Sequence, residues 1–183
     1  MLQNSRDDAR ISRNKVRAKK NMMYPSPDFE RKICAPSELP ERIATLPRPL
    51  VFTNGCFDIL HRGHVTYLAQ ARALGASLVI GINTDASVKR LEKGEDRPIN
   101  NQNDRMAVLA ALESVTMVTW FDEDTPLNLI LICKPDILVK GGDWKVEKIV
   151  GAKEVLERGG HVHSIPFLHE RSTTSTIAKI RRS

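Results

Sequence analysis

From Leu50 onward, short apolar runs alternate with amphipathic stretches in a regular order. Five runs of seven or eight residues have the length and composition of strands: LVFTNGCF, SLVIGINT, VTMVTWF, DILVKGG and HVHSIPF. Helical patterns separate them, and one more, STTSTIAKIRR, ends the chain. Strands joined through helices form right-handed crossovers and a parallel sheet that helices cover on both faces. The sequence therefore predicts a doubly wound α/β domain with five parallel strands.

Charge and proline content divide the 183 residues into three parts. The first twenty residues hold seven Lys and Arg and two Asp, so +5 of the formal net charge of +6 lies there. Residues 1–21 are predicted to be a basic, mobile tail. Residues 22–48 are predicted to be a proline-rich linker with one short helix over Ser37–Leu46, capped by Ser37. Residues 49–183 form the predicted α/β domain.

Two local features of the domain's helices are also predicted. The stretch LHRGHVTYLAQARALG is expected to turn Val65, Leu68, Ala69 and Leu74 toward the core. Asp85 is expected to cap the helix DASVKRLE.

Cysteine usage and hydropathy exclude several classes of protein. Cys34, Cys56 and Cys133 are an odd number at wide spacings, so they indicate neither a disulfide framework nor a CxxC metal site. His161 and His163 share one face of a predicted strand, but no third ligand accompanies them, so no metal site is predicted. Without an apolar signal region or a run long enough to cross a bilayer, the expected location is the cytoplasm. The basic balance favours an acidic partner such as a nucleotide, a sugar phosphate or a nucleic acid.

The segment TNGCFDILHRGH follows the first predicted strand and opens a helix, where ligands of open parallel sheets bind. Gly55 allows the backbone to approach a ligand closely, and Gly63 does the same beside a helix start whose free N–H groups attract phosphate. His61 and His64 are three residues apart, so both imidazoles can face one anion. The segment therefore predicts a phosphate site.

TNGCFDILHRGH resembles the GxFDxxHxGH signature of the cytidylyltransferase-like nucleotidyltransferases, a branch of the HIGH-motif superfamily with a Rossmann-like fold. STTSTI is similar to the second signature of that branch, a helix start that contacts the triphosphate. The resemblance extends from Leu50 to Ile180, through NTDASVKRL, DRPIN, DRMAVLAALESV, DEDTP, PDILVKGGDW and GAKEV. Over this range it is closest to family members that transfer the adenylyl group of ATP to D-glycero-β-D-manno-heptose 1-phosphate in ADP-heptose synthesis.

The resemblance implies an activity and partners. We expect ATP and heptose 1-phosphate as substrates, ADP-heptose and pyrophosphate as products, and a contribution to the inner core of lipopolysaccharide. Mg²⁺ is expected to accompany ATP. Many relatives carry a heptose kinase in the same chain, for which 183 residues leave no room, so a free-standing enzyme is expected. A homodimer is expected, with no membrane or nucleic-acid partner.

Site residues carry over by motif. The expected catalytic residues are His61, His64 and Lys89. The expected nucleotide-binding residues are Thr53, Asn54, Gly55, Cys56, Phe57, Gly63, Arg105, Ser172, Thr173 and Thr174. The expected substrate-binding residues are Asp58, Lys140, Gly141, Gly142, Asp143 and Trp144, with Asp58 also orienting the motif turn.

One position departs from the family pattern. Cytidylyltransferases of this branch usually carry Arg five residues before the Ser-Thr-Thr, where this chain has Phe167, and Arg171 is a candidate to supply the charge instead. The difference favours an adenylyltransferase. A CTP enzyme acting on glycerol 3-phosphate or a similar alcohol phosphate is the alternative, and a non-catalytic nucleotide- or nucleic-acid-binding protein is a remoter one.

Overall fold

The computed structural model describes residues 24–91, 97–169 and 173–182. Five strands form one sheet in which every pairing is parallel, with the spatial order β3-β2-β1-β4-β5. The strands are β1 (Leu50–Gly55), β2 (Ser77–Asn83), β3 (Met117–Phe121), β4 (Ile137–Gly141) and β5 (His161–Ile165). The prediction of a five-stranded parallel α/β sheet is confirmed.

Helices connect the strands and cover the sheet. They are α1 (Leu39–Ala44), α2 (Arg62–Arg72), α3 (Asp85–Arg90), α4 (Gln102–Ala110), α5 (Leu127–Cys133), α6 (Ala152–Glu157) and α7 (Thr173–Arg182). The long helix that VEKIVGAKEVLERGG suggests is in fact a 3₁₀ turn at Val146–Lys148 followed by α6. Gly151 separates the two with a φ of 85°, a left-handed conformation that ends any right-handed helix.

Side chains that alternate along the strands build a core on each face of the sheet. On one face, Phe52 and Leu138 pack with α1, α5 and α6. On the other, Val51 and Val139 pack with α2 and α4. Because both faces are covered, all of β2 and the first four residues of β1 are buried.

The segment before β1, predicted to be a linker, packs against the sheet. Cys34, Leu39 and Ile43 are buried in the same core cluster as Phe52. The backbone N–H of Cys34 donates to the carbonyl of Val118 in β3 at 2.9 Å. Its proline content limits the length of its helices, but its apolar side chains still fill the space beside β3.

Three local predictions need correction. Ser37 caps nothing, because Pro36 starts a 3₁₀ turn that already contains Ser37. Thr84 rather than Asp85 caps α3, and its Oγ1 accepts from the backbone N–H of Ser87 at 3.0 Å.

The inward face of α2 is the third correction. Of the four residues predicted to face the core only Leu68 is buried, and Val65 is 43% exposed. The buried stripe is Gly63, Tyr67, Leu68 and Ala71. Gly63 and Ala71 on that stripe are small and let the helix approach the sheet closely.

No helix in the described parts of the chain is long and apolar enough to cross a membrane.

Candidate active site

The predicted motif lies at the carboxyl end of β1, where the strand order changes direction because β2 and β4 flank β1 on opposite sides. Clefts that bind ligands in open parallel sheets form at this point. Residues 56–61 form the loop that leads from β1 into α2. His61 is the N-cap residue of α2, and no side chain caps that end of the helix. The first N–H groups of α2 therefore have no side-chain acceptor at the N-cap.

His61 and His64 stack on each other. Their ring centroids are 3.9 Å apart, with 24° between the ring planes. Gly63 makes this stack possible, since a Cβ there would lie 3.0 Å from Cε1 of His61 and 3.2 Å from the carbonyl oxygen of His169. The HxGH spacing thus brings two imidazoles together at the start of one helix.

His64 also contacts two phenylalanine rings. Phe57 and Phe167 approach its ring edge-on, with centroids at 5.4 and 6.3 Å. Burial, and secondarily the charge of His61, lowers the pKa of His64 from 6.5 to about 4. Its Nδ1 is buried and has no hydrogen-bond partner among the described residues. At neutral pH His64 is therefore an uncharged imidazole with one buried, unpaired ring nitrogen.

Asp58 connects the motif loop to the segment before α4. Its carboxylate is buried and forms an ion pair with Nε of Arg97 at 2.5 Å. It also accepts from the backbone N–H groups of Ile99 at 3.0 Å and Asn100 at 2.9 Å. Through these contacts Asp58 orients the turn, as expected from its place in the motif. The sequence also predicts that Asp58 contacts the substrate, but the carboxylate is enclosed by protein and has no open side for a ligand.

The prediction for Arg105 also needs correction, because this side chain too is enclosed. It is 2% exposed, and its guanidinium donates to the carbonyl oxygens of Cys56 at 2.7 Å and Asn83 at 2.8 Å. It also pairs with Asp85 at 2.8 Å. The side chain therefore fixes the ends of β1 and β2 in place, and it positions the site rather than touching a nucleotide.

The end of β1 also contacts α2 and β4. The hydroxyl of Thr53 is buried and lies 2.6 Å from the hydroxyl of Tyr67. Burial raises the pKa of Tyr67, so it remains a neutral phenol. Nζ of Lys140 donates to Oδ1 of Asn54 at 3.3 Å and places a cation beside the motif strand. The expected contribution of Thr53 to nucleotide binding, through its backbone, stays a prediction.

Two exposed aromatic rings follow neighbouring strands, Trp144 after β4 and Phe167 after β5. Trp144 is 50% exposed, and its indole N–H donates to the carbonyl of Gly141 at 3.1 Å. Phe167 is 43% exposed and packs edge-on against Tyr67, with centroids 5.7 Å apart. The sequence marks Phe167 only as a departure from the family pattern, and its place beside His64 becomes visible only in the structure. Asp143, in the turn after β4, is exposed.

The remaining predicted residues are placed less closely. Lys89 is exposed on α3, and no described contact joins it to the histidines. Thr173 is buried at the start of α7, and its Oγ1 donates to the carbonyl of Ile59 in the motif loop at 3.4 Å. The second signature therefore does lie against the first. Ser172 and Arg171 fall outside the described residues, as does the side chain of Thr174.

Nothing in the described residues suggests a metal held by the protein alone. Within residues 24–91, 97–169 and 173–182, no three His, Cys, Asp or Glu side chains converge as metal ligands would. His161 and His163 lie on the exposed side of β5, which is an edge strand, with ring centroids 6.5 Å apart.

Comparison with known sequences identifies similar proteins. A family model described as Cytidylyltransferase-like matches residues 52–181. A D-beta-D-heptose 1-phosphate adenylyltransferase of Bordetella bronchiseptica is 56% identical over 156 residues, which cover 84% of this chain and 96% of that protein. The Bifunctional protein HldE of Hahella chejuensis is 59% identical over 133 residues, 73% of this chain but 28% of its own length. The chain thus spans under a third of that bifunctional relative.

Solved structures with a similar fold are also found. A lipopolysaccharide core biosynthesis protein of Thermoplasma volcanium superposes with a TM-score of 0.54 at 28% identity, covering 67% of this chain and 98% of that one. A pantoate-beta-alanine ligase of Francisella tularensis superposes with the same TM-score at 13% identity, over 78% of this chain and 68% of its own. The second likeness concerns the fold alone.

Proposed function

The chain belongs to the cytidylyltransferase-like family, and we propose that it transfers the adenylyl group of ATP to D-glycero-β-D-manno-heptose 1-phosphate, forming ADP-heptose and releasing pyrophosphate. The observation that carries the proposal is the stacked His61–His64 pair at an uncapped helix start, in a chain 56% identical to a heptose 1-phosphate adenylyltransferase along almost all of that protein. We propose that the product enters the inner core of lipopolysaccharide and that the reaction takes place in the cytoplasm.

The chemistry requires no nucleophile from the protein. A phosphate oxygen of the sugar phosphate attacks the α-phosphorus of ATP, a new P–O bond forms, and the bond to the pyrophosphate oxygen breaks. The attacking oxygen is already ionised at neutral pH. The protein therefore contributes alignment of the two substrates and stabilisation of the charge that develops on the leaving group.

His61 and His64 are placed for the second task. A neutral imidazole carries one ring N–H, which can donate a hydrogen bond to a phosphate oxygen. An anionic triphosphate beside it also favours the imidazolium, so His64 can gain charge as pyrophosphate departs. The N–H groups that open α2 add donors on the same side.

Further contacts to the substrates are proposed from position. Lys140, next to Asn54, is a candidate for a phosphate group, as is the exposed Lys89. Thr173, together with Ser172 and Thr174, is proposed to contact the triphosphate. Asp143 is a candidate for hydroxyl groups of the sugar.

Mg²⁺ is proposed to arrive with ATP and to offset the charge of the phosphates. The described residues offer no converging carboxylates to hold it. No protein ligand is therefore assigned to the ion, and no step of the reaction is derived through it.

We further propose a homodimer that uses the face formed by α2 and α4. Val65 and Val108 are 43% and 51% exposed on these helices. A groove between them is lined by Leu112 and carries Arg72 and Glu113, opposite charges that a second copy related by a two-fold axis could pair. Sedimentation of the protein and of a Val65→Asp/Val108→Asp variant tests this, because the variant should be monomeric. A monomeric parent protein would contradict it.

The activity is tested by crossing ATP and CTP with heptose 1-phosphate and glycerol 3-phosphate in a pyrophosphate-release assay. We expect turnover with ATP and heptose 1-phosphate, and rates at least a hundredfold lower in the other combinations. Turnover with CTP and glycerol 3-phosphate, and none with ATP and heptose 1-phosphate, would replace this proposal with the cytidylyltransferase alternative.

A further inference from the structure

Phe167 is an aromatic side chain fixed in place on one side and open on the other. Its Cζ would lie 2.7 Å from a Cβ on Gly141, so the ring rests directly on the glycine backbone. Tyr67 and His64 pack against it edge-on. The ring is nevertheless 43% exposed, which is unusual for a phenylalanine held by three rigid neighbours beside a catalytic pair.

Trp144, on the turn after β4, is a second fixed ring. Its backbone N–H donates to Oγ of Ser164 at 2.9 Å, and its indole N–H donates to the carbonyl of Gly141. The rings of Trp144 and Phe167 lie on two sides of the space next to the backbone of Gly142. A Cβ there would lie 3.2 Å from Nε1 of Trp144 and 3.9 Å from Cε2 of Phe167.

The absence of side chains at Gly141 and Gly142 keeps this space open. A planar aromatic group is about 3.4 Å thick, so a flat ring can lie over the turn in contact with one or both aromatic side chains. ATP carries one such group, its adenine, whereas a sugar phosphate carries none. The triphosphate of the same molecule is proposed to lie at His64, and Phe167 touches that histidine directly.

We propose that Phe167, with Trp144, forms the stacking surface for the nucleotide base and selects ATP over CTP. A purine covers more of such a surface than a pyrimidine does, so a loss of the ring costs ATP more than CTP. The inference rests on the proposed adenylyl transfer and adds the residue that determines which nucleotide is used. It also assigns Trp144 to the base rather than to the sugar.

The test compares side chains of similar size that differ in having a flat face. Phe167→Leu retains apolar volume and loses the ring, whereas Phe167→Tyr retains the ring. We expect Phe167→Leu to raise the KM for ATP about tenfold while the KM for heptose 1-phosphate changes less than twofold, and Phe167→Tyr to stay within twofold of the parent. Leu168→Ala, at a 66% exposed neighbour on the same turn, is the matched control and should alter neither constant.

Nucleotide binding is also measured without turnover. The chain has two tryptophans, so in a Trp120→Phe background all tryptophan fluorescence arises from Trp144. ATP should quench it, CTP should do so at about tenfold higher concentration, and Phe167→Leu should reduce that difference. This titration tests the inference even if heptose 1-phosphate is not the acceptor, and the parent protein's turnover with that acceptor tests the proposed function separately.

Three results would overturn the inference. The first is an unchanged ATP affinity in Phe167→Leu. The second is a rise in the KM for heptose 1-phosphate alone, which would place the ring on the acceptor side. The third is an equal loss for ATP and CTP, which would remove the selectivity.

Discussion

A buried imidazole that stays neutral can still be strongly coupled to an anionic ligand. His64 makes no described side-chain hydrogen bond, and it is stacked on a second imidazole and enclosed by two aromatic rings. Such an arrangement stabilises the folded protein little by itself. Its value lies in the contacts it makes once phosphate oxygens are present.

His64→Ala should therefore lower kcat by about 10² to 10³, the loss expected for one donor to a developing charge. The fold should persist, as measured by circular dichroism and thermal unfolding. His163→Ala removes an exposed imidazole on β5 and serves as the control that should retain full turnover. Near-normal turnover in His64→Ala would exclude this residue from the mechanism.

The low pKa of His64 also predicts how stability depends on pH. In the unfolded chain the imidazole titrates near 6.5, and in the folded chain near 4, so between these values only the unfolded state binds the proton. Its contribution thus destabilises the fold progressively as pH falls from about 7 toward 4. The free energy of unfolding is measured in urea at pH 7.5 and at pH 5. Its decrease from the higher to the lower pH should be larger in the parent protein than in His64→Asn. Equal losses would show that His64 is not buried in its neutral form.

The ion pair between Asp58 and Arg97 makes a different kind of contribution. Both side chains are buried, so Asp58→Asn leaves the guanidinium without its counter-charge and should cost about 3 kcal/mol of stability. Glu157→Gln makes the same chemical change in the exposed Lys153–Glu157 pair and should cost less than about 0.5 kcal/mol. Chemical denaturation of the two variants measures both, and equal costs would contradict the argument.

At the scale of residues, the sequence predicts which side chains belong to the candidate site more reliably than it predicts the contacts of each side chain. The spacing of His61, Gly63 and His64 predicts a shared anion site, because helix geometry fixes their proximity. Arg105 and Asp58 are charged residues near a phosphate motif, and only the three-dimensional contacts reveal that both are enclosed. Burial of a charge depends on partners distant in sequence, which spacing does not encode.

At the scale of elements, two glycines at helix ends appear alike in sequence and differ in surroundings. Gly151 and Gly159 have φ values of 85° and 79°. A Cβ at Gly151 would lie 2.6 Å from Cδ1 of Ile130, whereas a Cβ at Gly159 would meet nothing within 4 Å. One position therefore combines backbone strain with a steric clash, and the other has strain alone.

Gly159→Ala should destabilise the protein by about 1 kcal/mol, the cost of a left-handed conformation for an L-residue. Gly151→Ala should cost clearly more, about 2 to 4 kcal/mol, because Ile130 is buried in the core and has little room to move. Thermal unfolding of the two variants separates strain from clash. Equal shifts in Tm would mean that Ile130 repacks freely.

The five parallel strands were predictable because most of them are buried apolar runs between polar breaks, separated by helical stretches. Their order in the sheet was not predicted, because crossover rules fix the handedness of each connection and leave the order open. The buried faces of the helices were less predictable than the strands. On α2, Val65 faces solvent, and the stripe with Gly63, Tyr67, Leu68 and Ala71 faces the sheet. The prediction missed this stripe because it gave weight to Val, Leu and Ala and left out the glycine and the tyrosine.

At the scale of the whole molecule, charge and catalysis are separate. Since +5 of the net +6 lies in the first twenty residues, the rest of the chain is nearly neutral and must bind anions with individually placed groups. Removal of residues 1–21 should leave kcat and both KM values within about twofold. Turnover and thermal unfolding of the shortened chain test this. Loss of activity on truncation, or salt-sensitive binding of nucleic acid that disappears with it, would assign the basic segment a role.

The segment before β1 has one more consequence. β3 lies at the edge of the sheet, and an open edge strand presents backbone donors and acceptors that can recruit strands from other molecules into aggregates. Ile33 forms a parallel bridge to Val118, and the N–H of Cys34 occupies the carbonyl of Val118. The segment before β1 thus occupies one backbone position near the start of this edge, and it leaves less of the edge open to strands of other molecules.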